Sequence, residues 1–281
     1  MRILSNLLSL VLLAAILSAG CAVAASPAAS PAAPTEMVIT ATEYAYAAPD
    51  QVEAGLVTVT LENEGELAHH AQLVRLPEGM SPDELMALFQ TDTPAALQAM
   101  TFVGGPGLLD PGLRQSVQLD LAPGGYLVLS FVFDPEGVPY LAKGMVKPFE
   151  VIATQSAKET QPIEANGEAR LLDFSFILPD EISAGKQVWQ VINEGRELHE
   201  IMVVKLADDV SVTDAIHFLH NPVGSAPYAN IGGFQAIGGD QSGWMQLDLE
   251  PGEYVALCYV PGAETGDPHF AMGMVRPFSV K

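Results

Sequence analysis

Apolar and polar residues alternate with a period of two along several short stretches of this chain. Leu56 to Asn63 and Lys186 to Asn193 show it, as do Ser116 to Leu121 and Trp244 to Leu249. Alternation at this period sends successive side chains to opposite faces of a pleated strand, so one face can meet a core. Tyr126 to Phe133 and Tyr254 to Val260 are instead nearly continuous apolar runs, the pattern of a strand covered on both faces. Pro-Gly pairs at 123–124 and 251–252 mark turns between strands. Helical signals are sparse. One starts at Ser81-Pro82-Asp83-Glu84, with a serine cap, proline in the first turn and a glutamate completing a capping box; a weaker one starts at Ser211-Val212-Thr213-Asp214.

These signals recur at a nearly fixed offset. Pro49-Asp50 and Ala54-Gly55 match Pro179-Asp180 and Ala184-Gly185, and Asn63-Glu64-Gly65 through His69 matches Asn193-Glu194-Gly195 through His199. Gly104-Gly105 pairs with Gly232-Gly233, Pro123-Gly124 with Pro251-Gly252, and Gly144-Met145-Val146 with Gly273-Met274-Val275. So many matches with so little slippage predict a tandem duplication. The expected fold is all-β: two Greek-key β-sandwiches of about 115 residues, each with one short inserted helix. The expected domains are 36–153 and 168–281, joined by a polar linker over 154–167.

Composition narrows the partners. The chain has 281 residues, 34 of them acidic against 12 basic, for a formal net charge of −22. Nucleic acid is excluded as a partner, because little positive charge is present to displace phosphate counterions. At the N-terminus, Met1-Arg2 precedes an apolar run from Leu7 to Leu17 that is too short for a permanent span, so residues 1–20 read as a signal peptide. Ser18-Ala19-Gly20-Cys21 resembles a bacterial lipobox, which would lipidate Cys21 and leave residues 21–35 as an Ala/Ser/Pro tether to the membrane. Ala22-Val23-Ala24 offers ordinary signal cleavage instead, giving a secreted soluble protein. Both predict export, to the periplasm or beyond.

Export leaves Cys258 without a disulfide partner, since Cys21 is the only other cysteine. An unpaired thiol there is a dimer link, a buried apolar residue or a metal ligand. Cys258, His269, Met272 and Met274 lie on one predicted loop, and they are ligand types of a copper electron-transfer site, short of one histidine.

A strand ending in Asn193-x-Gly195, then His199 opening the next strand, then a late Cys258…His269…Met274 loop resemble the cupredoxins, or blue-copper proteins. The resemblance covers 168–281 and, in degenerate form, 36–153. It implies one type 1 copper held by His199, Cys258 and His269, with Met274 as axial ligand and Met272 in reserve. Ten residues separate Cys258 from His269, a longer loop than in the small carriers of the family, and Glu200 stands where those carriers often have asparagine. The first copy keeps His69 and Met145 but has Ser130 and Tyr140 at the cysteine and second histidine positions, so it is expected to bind no type 1 copper.

Cupredoxin duplications also build copper oxidases and nitrite reductases, which need His-x-His pairs and a histidine beside the cysteine. Leu257 and Tyr259 flank Cys258 here and no His-x-His occurs, so an enzyme is not expected. His217 and His220 read as a solvated helix end, and His70 as a surface residue. The leading expectation is a membrane-tethered electron carrier that meets a redox partner protein. The alternatives are a metal-free tandem binding or assembly module and a copper-delivery protein.

Overall fold

The structure, a computed structural model, describes residues 33–134, 136–154 and 160–281. The expected leader, most of the tether and Cys21 lie outside the described residues. The first half holds β1 (Thr35–Thr42), β2 (Ala45–Ala47), β3 (Gln51–Glu53), β4 (Gly55–Asn63), β5 (Gln72–Arg75), α1 (Pro82–Thr91), α2 (Thr93–Ala99), β6 (Thr101–Phe102), β7 (Arg114–Leu121), β8 (Gly124–Leu129) and β9 (Val146–Ile152). The second holds β10 (Gly167–Leu172), β11 (Ser175–Ile177), β12 (Gly185–Asn193), β13 (His199–Leu206), α3 (Val212–His220), β14 (Tyr228–Ile237), β15 (Ser242–Leu249), β16 (Gly252–Leu257) and β17 (Val275–Val280).

The fold is all-β and built of β-sandwich layers, as the resemblance implies. One eight-stranded sheet runs β11-β10-β12-β15-β7-β4-β1-β2 through both halves. A five-stranded sheet, β3-β9-β8-β5-β6, belongs to the first half and a four-stranded one, β14-β13-β16-β17, to the second. Corresponding strands pair in the same sense: β1 runs parallel to β4 and β10 parallel to β12, while β7 and β15 lie antiparallel to β4 and β12. Capping boxes close at both predicted helix starts, Ser81 with Glu84 and Ser211 with Asp214. The first half departs from expectation by adding α2, whose start Asp92 caps by accepting from Ala95 N.

The halves meet where β7 pairs with β15, Trp244 opposite Gln118 and Met245 opposite Val117. Buried glutamines bind across this seam: Gln115 Nε2 donates to Gly233 O at 2.8 Å and Gln72 Nε2 to Ala236 O at 3.1 Å. One apolar cluster spans both sides, with Val117 and Leu119 packed in the same core as Phe234 and Met245. The described residues accordingly form one compact unit. Among the described residues, no helix is long and apolar enough to cross a membrane.

β8 and β16 stop at Leu129 and Leu257, short of the predicted runs. The next residues turn their backbone groups to a later segment: Phe270 N donates to Cys258 O at 2.8 Å, and Leu141 N to Ser130 O at 3.1 Å. That turn places Cys258 at the end of a strand, facing the loop that follows.

Candidate metal centre

Three segments meet at one end of the second half. Asn193, last in β12, donates from Nδ2 to Glu197 O at 2.9 Å and to Ile237 O at 2.8 Å, and accepts from Gly195 N at 2.9 Å. These bonds hold the turn that delivers His199 to the start of β13. Gly195 is needed there because a Cβ would stand 2.6 Å from His199 Nε2. Cys258 follows β16 directly. The loop beyond it is pinched by Gly262 N donating to Asp267 O at 2.8 Å, and it ends in a 3-10 turn, His269–Met272. His269 N donates back to Val260 O at 2.9 Å, so the second imidazole is placed by backbone rather than by chance.

His199, Cys258 and His269 are each fully buried, and among the described residues they form the one three-residue group of metal-ligand type placed to hold an ion. The two Nδ1 atoms lie 3.0 Å apart, and Cys258 Sγ lies 3.5 Å from His269 Nδ1. An ion bonded at about 2.0 Å to nitrogen and about 2.3 Å to sulfur bridges ligand atoms roughly 3–4 Å apart. The outer nitrogens decide the protonation. His199 Nε2 meets Asp173 Oδ1 at 3.0 Å and His269 Nε2 meets Glu197 Oε2 at 3.2 Å. An ionised carboxylate only accepts, so each neutral ring carries its proton on Nε2. With that tautomer both Nδ1 lone pairs face each other beside the sulfur, where a single ion can meet all three atoms. The residues fit a metal, and thiolate with two imidazoles is a donor set suited to copper. One copper ion can be held here.

Neighbouring groups support the same geometry. The Asp173 carboxyl is held below the usual range, chiefly by the His199 hydrogen bond, and it also accepts from Arg196 N at 2.8 Å. Burial lowers the basicity of His199 and pushes the Cys258 thiol well up, so the metal-free thiol keeps its proton and a metal bound there would displace it to solvent. Glu200 is buried, its carboxyl pushed up to about 7 by desolvation, and it accepts from Tyr259 N at 2.9 Å.

No protein-family model matches the chain, and no curated protein matches it. Among solved structures it is similar to an auracyanin from Roseiflexus castenholzii, with 20% identity over 41% of this chain and 94% of that one, at a TM-score of 0.29. Auracyanin A from Chloroflexus aurantiacus, a "blue" copper protein, is 19% identical over 43% and 99% at 0.28. A copper-containing nitrite reductase from Thermus scotoductus is 12% identical over 88% of this chain and 61% of its own length at 0.23.

The remaining predicted residues are placed as follows. Met274 is fully buried in the same cluster as Cys258, and its amide donates to His269 O at 2.9 Å. Met272 turns its sulfur outward along the loop, 3.4 Å from Thr265 Oγ1. His217 and His220 are exposed on α3, where the His220 ring stands edge-on to Phe270 with centroids 5.4 Å apart. His70 contradicts its expected exposure. It is buried, and its Nε2 accepts from Phe131 N at 2.9 Å, the bond that Glu200 makes to Tyr259 in the second half.

At the corresponding end of the first half, the Tyr140 ring lies 5.4 Å from the His69 ring and 5.2 Å from Tyr44. Glu43 stands 3.6 Å from His69 Nε2, beyond hydrogen-bond length, and among the described residues neither His69 ring nitrogen nor Ser130 Oγ has a hydrogen-bond partner. Sequence reasoning missed the two carboxylates of the second half. The offset of 130 could have found them: Asp173 aligns with Glu43, an acid in both halves, whereas Glu197 aligns with Leu67 and so changes together with Cys258 and His269.

Proposed function

We propose that the chain is an exported blue-copper electron carrier, anchored by lipid at Cys21 and facing the periplasm or the outside, with one type 1 copper in the second of two duplicated domains. Residues 36–153 and 168–281 are these domains, and 154–167 link them. The observation that carries the reading is the convergence of His199 Nδ1, Cys258 Sγ and His269 Nδ1, all buried and within 4.8 Å of one another. Copper bound there supplies one-electron redox chemistry at a centre whose ligands need not rearrange.

The chain's own groups do the rest. Asp173 and Glu197 orient the imidazoles, the fold around Cys258 excludes water, and Met274, buried in the same cluster as the cysteine, would serve as the weak axial ligand. Full burial of the three ligands favours a resident ion over cargo, which must be reached in order to be handed on. The acidic composition suits a redox partner with a cationic docking face. Addition of Cu(II) to the purified protein is expected to give intense thiolate-to-copper absorption near about 600 nm. A colourless protein, or colour that survives Cys258→Ser, would refute the carrier reading.

A further inference from the structure

Glu197 does more than sit near the site. Its backbone carbonyl is held by Asn193 Nδ2, and its Oε2 accepts from Ala263 N at 2.9 Å while meeting His269 Nε2 at 3.2 Å. One carboxylate oxygen thus ties the turn before β13 to the loop that carries His269. The comparable contact on the other imidazole, Asp173 with His199, has a counterpart in Glu43 and His69, where no cysteine or second histidine exists. An acid at that position belongs to the frame in both halves. Glu197 has none: Leu67 stands in its place, beside a half that carries Ser130 and Tyr140.

Building on the copper reading, we propose that Glu197 is a positioning residue that fixes His269 for the metal and sets its reduction potential. By accepting the Nε2 proton it keeps the Nδ1 lone pair of His269 aimed at Cys258 and His199. A carboxylate bonded to a ligand imidazole also makes that imidazole a stronger donor. With a thiolate and two carboxylates gathered around it, the centre is net negative in either copper state, and more so with Cu(I). Glu197 therefore favours Cu(II) over Cu(I) and lowers the potential.

Two variants of the full chain test this, Glu197→Gln, which keeps the shape and removes the charge, and Glu197→Leu, the residue of the first half. The Glu197 side chain is 26% exposed, so neither change opens the core. In the metal-free protein, imidazole nitrogen NMR is expected to place the His269 proton on Nε2 in the native chain and to show the Nδ1–H form in Glu197→Leu. In the copper-loaded protein, both variants are expected to keep the band near about 600 nm while the Cu(II)/Cu(I) affinity ratio falls at least tenfold, a rise of about 59 mV. A native His269 protonated on Nδ1, or no tautomer change in Glu197→Leu, overturns the positioning role. An unchanged potential in Glu197→Gln overturns the tuning role. Absence of the band from the native chain sinks the copper reading instead, and the metal-free spectra still decide the positioning role.

Discussion

The equivalent ends of the two halves share a frame and differ in chemistry. Both keep an asparagine that ties the turn, Asn63 and Asn193, bonding across to Leu109 O and Ile237 O at 2.9 and 2.8 Å. Both keep the close glycine, the acid, the first histidine and a buried methionine whose amide closes the 3-10 turn, Met145 on Tyr140 O and Met274 on His269 O. Tyr44 and Phe174 even share a left-handed backbone, with φ of 61° and 65°. The differences are Leu67 for Glu197, His70 for Glu200, Ser130 for Cys258 and Tyr140 for His269. A histidine and a methionine at these positions are therefore compatible with plain structural service. What marks a metal centre is the set that changes in concert: a thiol, a second imidazole and a carboxylate behind it.

The hardest break is to give the second half the first half's residue. His269→Tyr is expected to abolish the thiolate absorption entirely, read by Cu(II) titration; a native-intensity band would place the second nitrogen ligand elsewhere. The converse graft, Leu67→Glu with Ser130→Cys and Tyr140→His, is expected to raise bound copper by one further ion per chain, read by metal analysis. Failure of that graft would mean the frames differ in more than these side chains. Next in size is the shared acid. Asp173→Asn is expected to weaken copper binding about 10- to 100-fold, whereas Glu43→Gln leaves it unchanged, read by competition with a chelator. Equal effects of the two would end the distinction between the halves.

His70 gives a smaller effect, on stability. Burial, and then the neighbouring His69, press its basicity from 6.5 down to about 3, so the folded protein keeps it neutral where the unfolded chain takes up a proton. Its contribution is complete above pH 6.5 and is lost as pH falls toward 3. The expected loss is about 2 kcal/mol at pH 5. His70→Gln, which retains an acceptor for Phe131 N, should flatten that slope in denaturant titrations at several pH values; an unchanged slope would assign the acid sensitivity to other groups. Smallest of all, Met272→Leu is expected to leave both absorption and potential as they were, because its sulfur faces Thr265. A shifted band would return Met272 to the ligand set.

Much of this was legible in the chain. Period-two alternation located β4, β7, β12 and β15, because each has a face in the core, and the capping boxes located α1 and α3. The fusion of the halves was not legible. Gln115 and Gln118 are buried with their amides donating to Gly233 O and Thr58 Oγ1, and periodicity says which side chains share a face without saying what covers it. His70 failed for a related reason: a histidine is read as polar, yet a single backbone amide, Phe131 N, lets it be buried neutral. At the site, Cys258 and His269 stood out by residue type, while Glu197 looked like one more surface acid in an acidic chain. Its alignment with Leu67 was the one signal in the chain, and the meeting of its Oε2 with His269 Nε2, across 72 positions of sequence, gives that signal its meaning.

Copper quantified per chain, with absorption recorded on the same sample, asks whether the two ends differ as their residues do. One ion per chain with a band near about 600 nm is the expected result, from a centre in the second half alone. No tightly bound copper, or two ions per native chain, would contradict it.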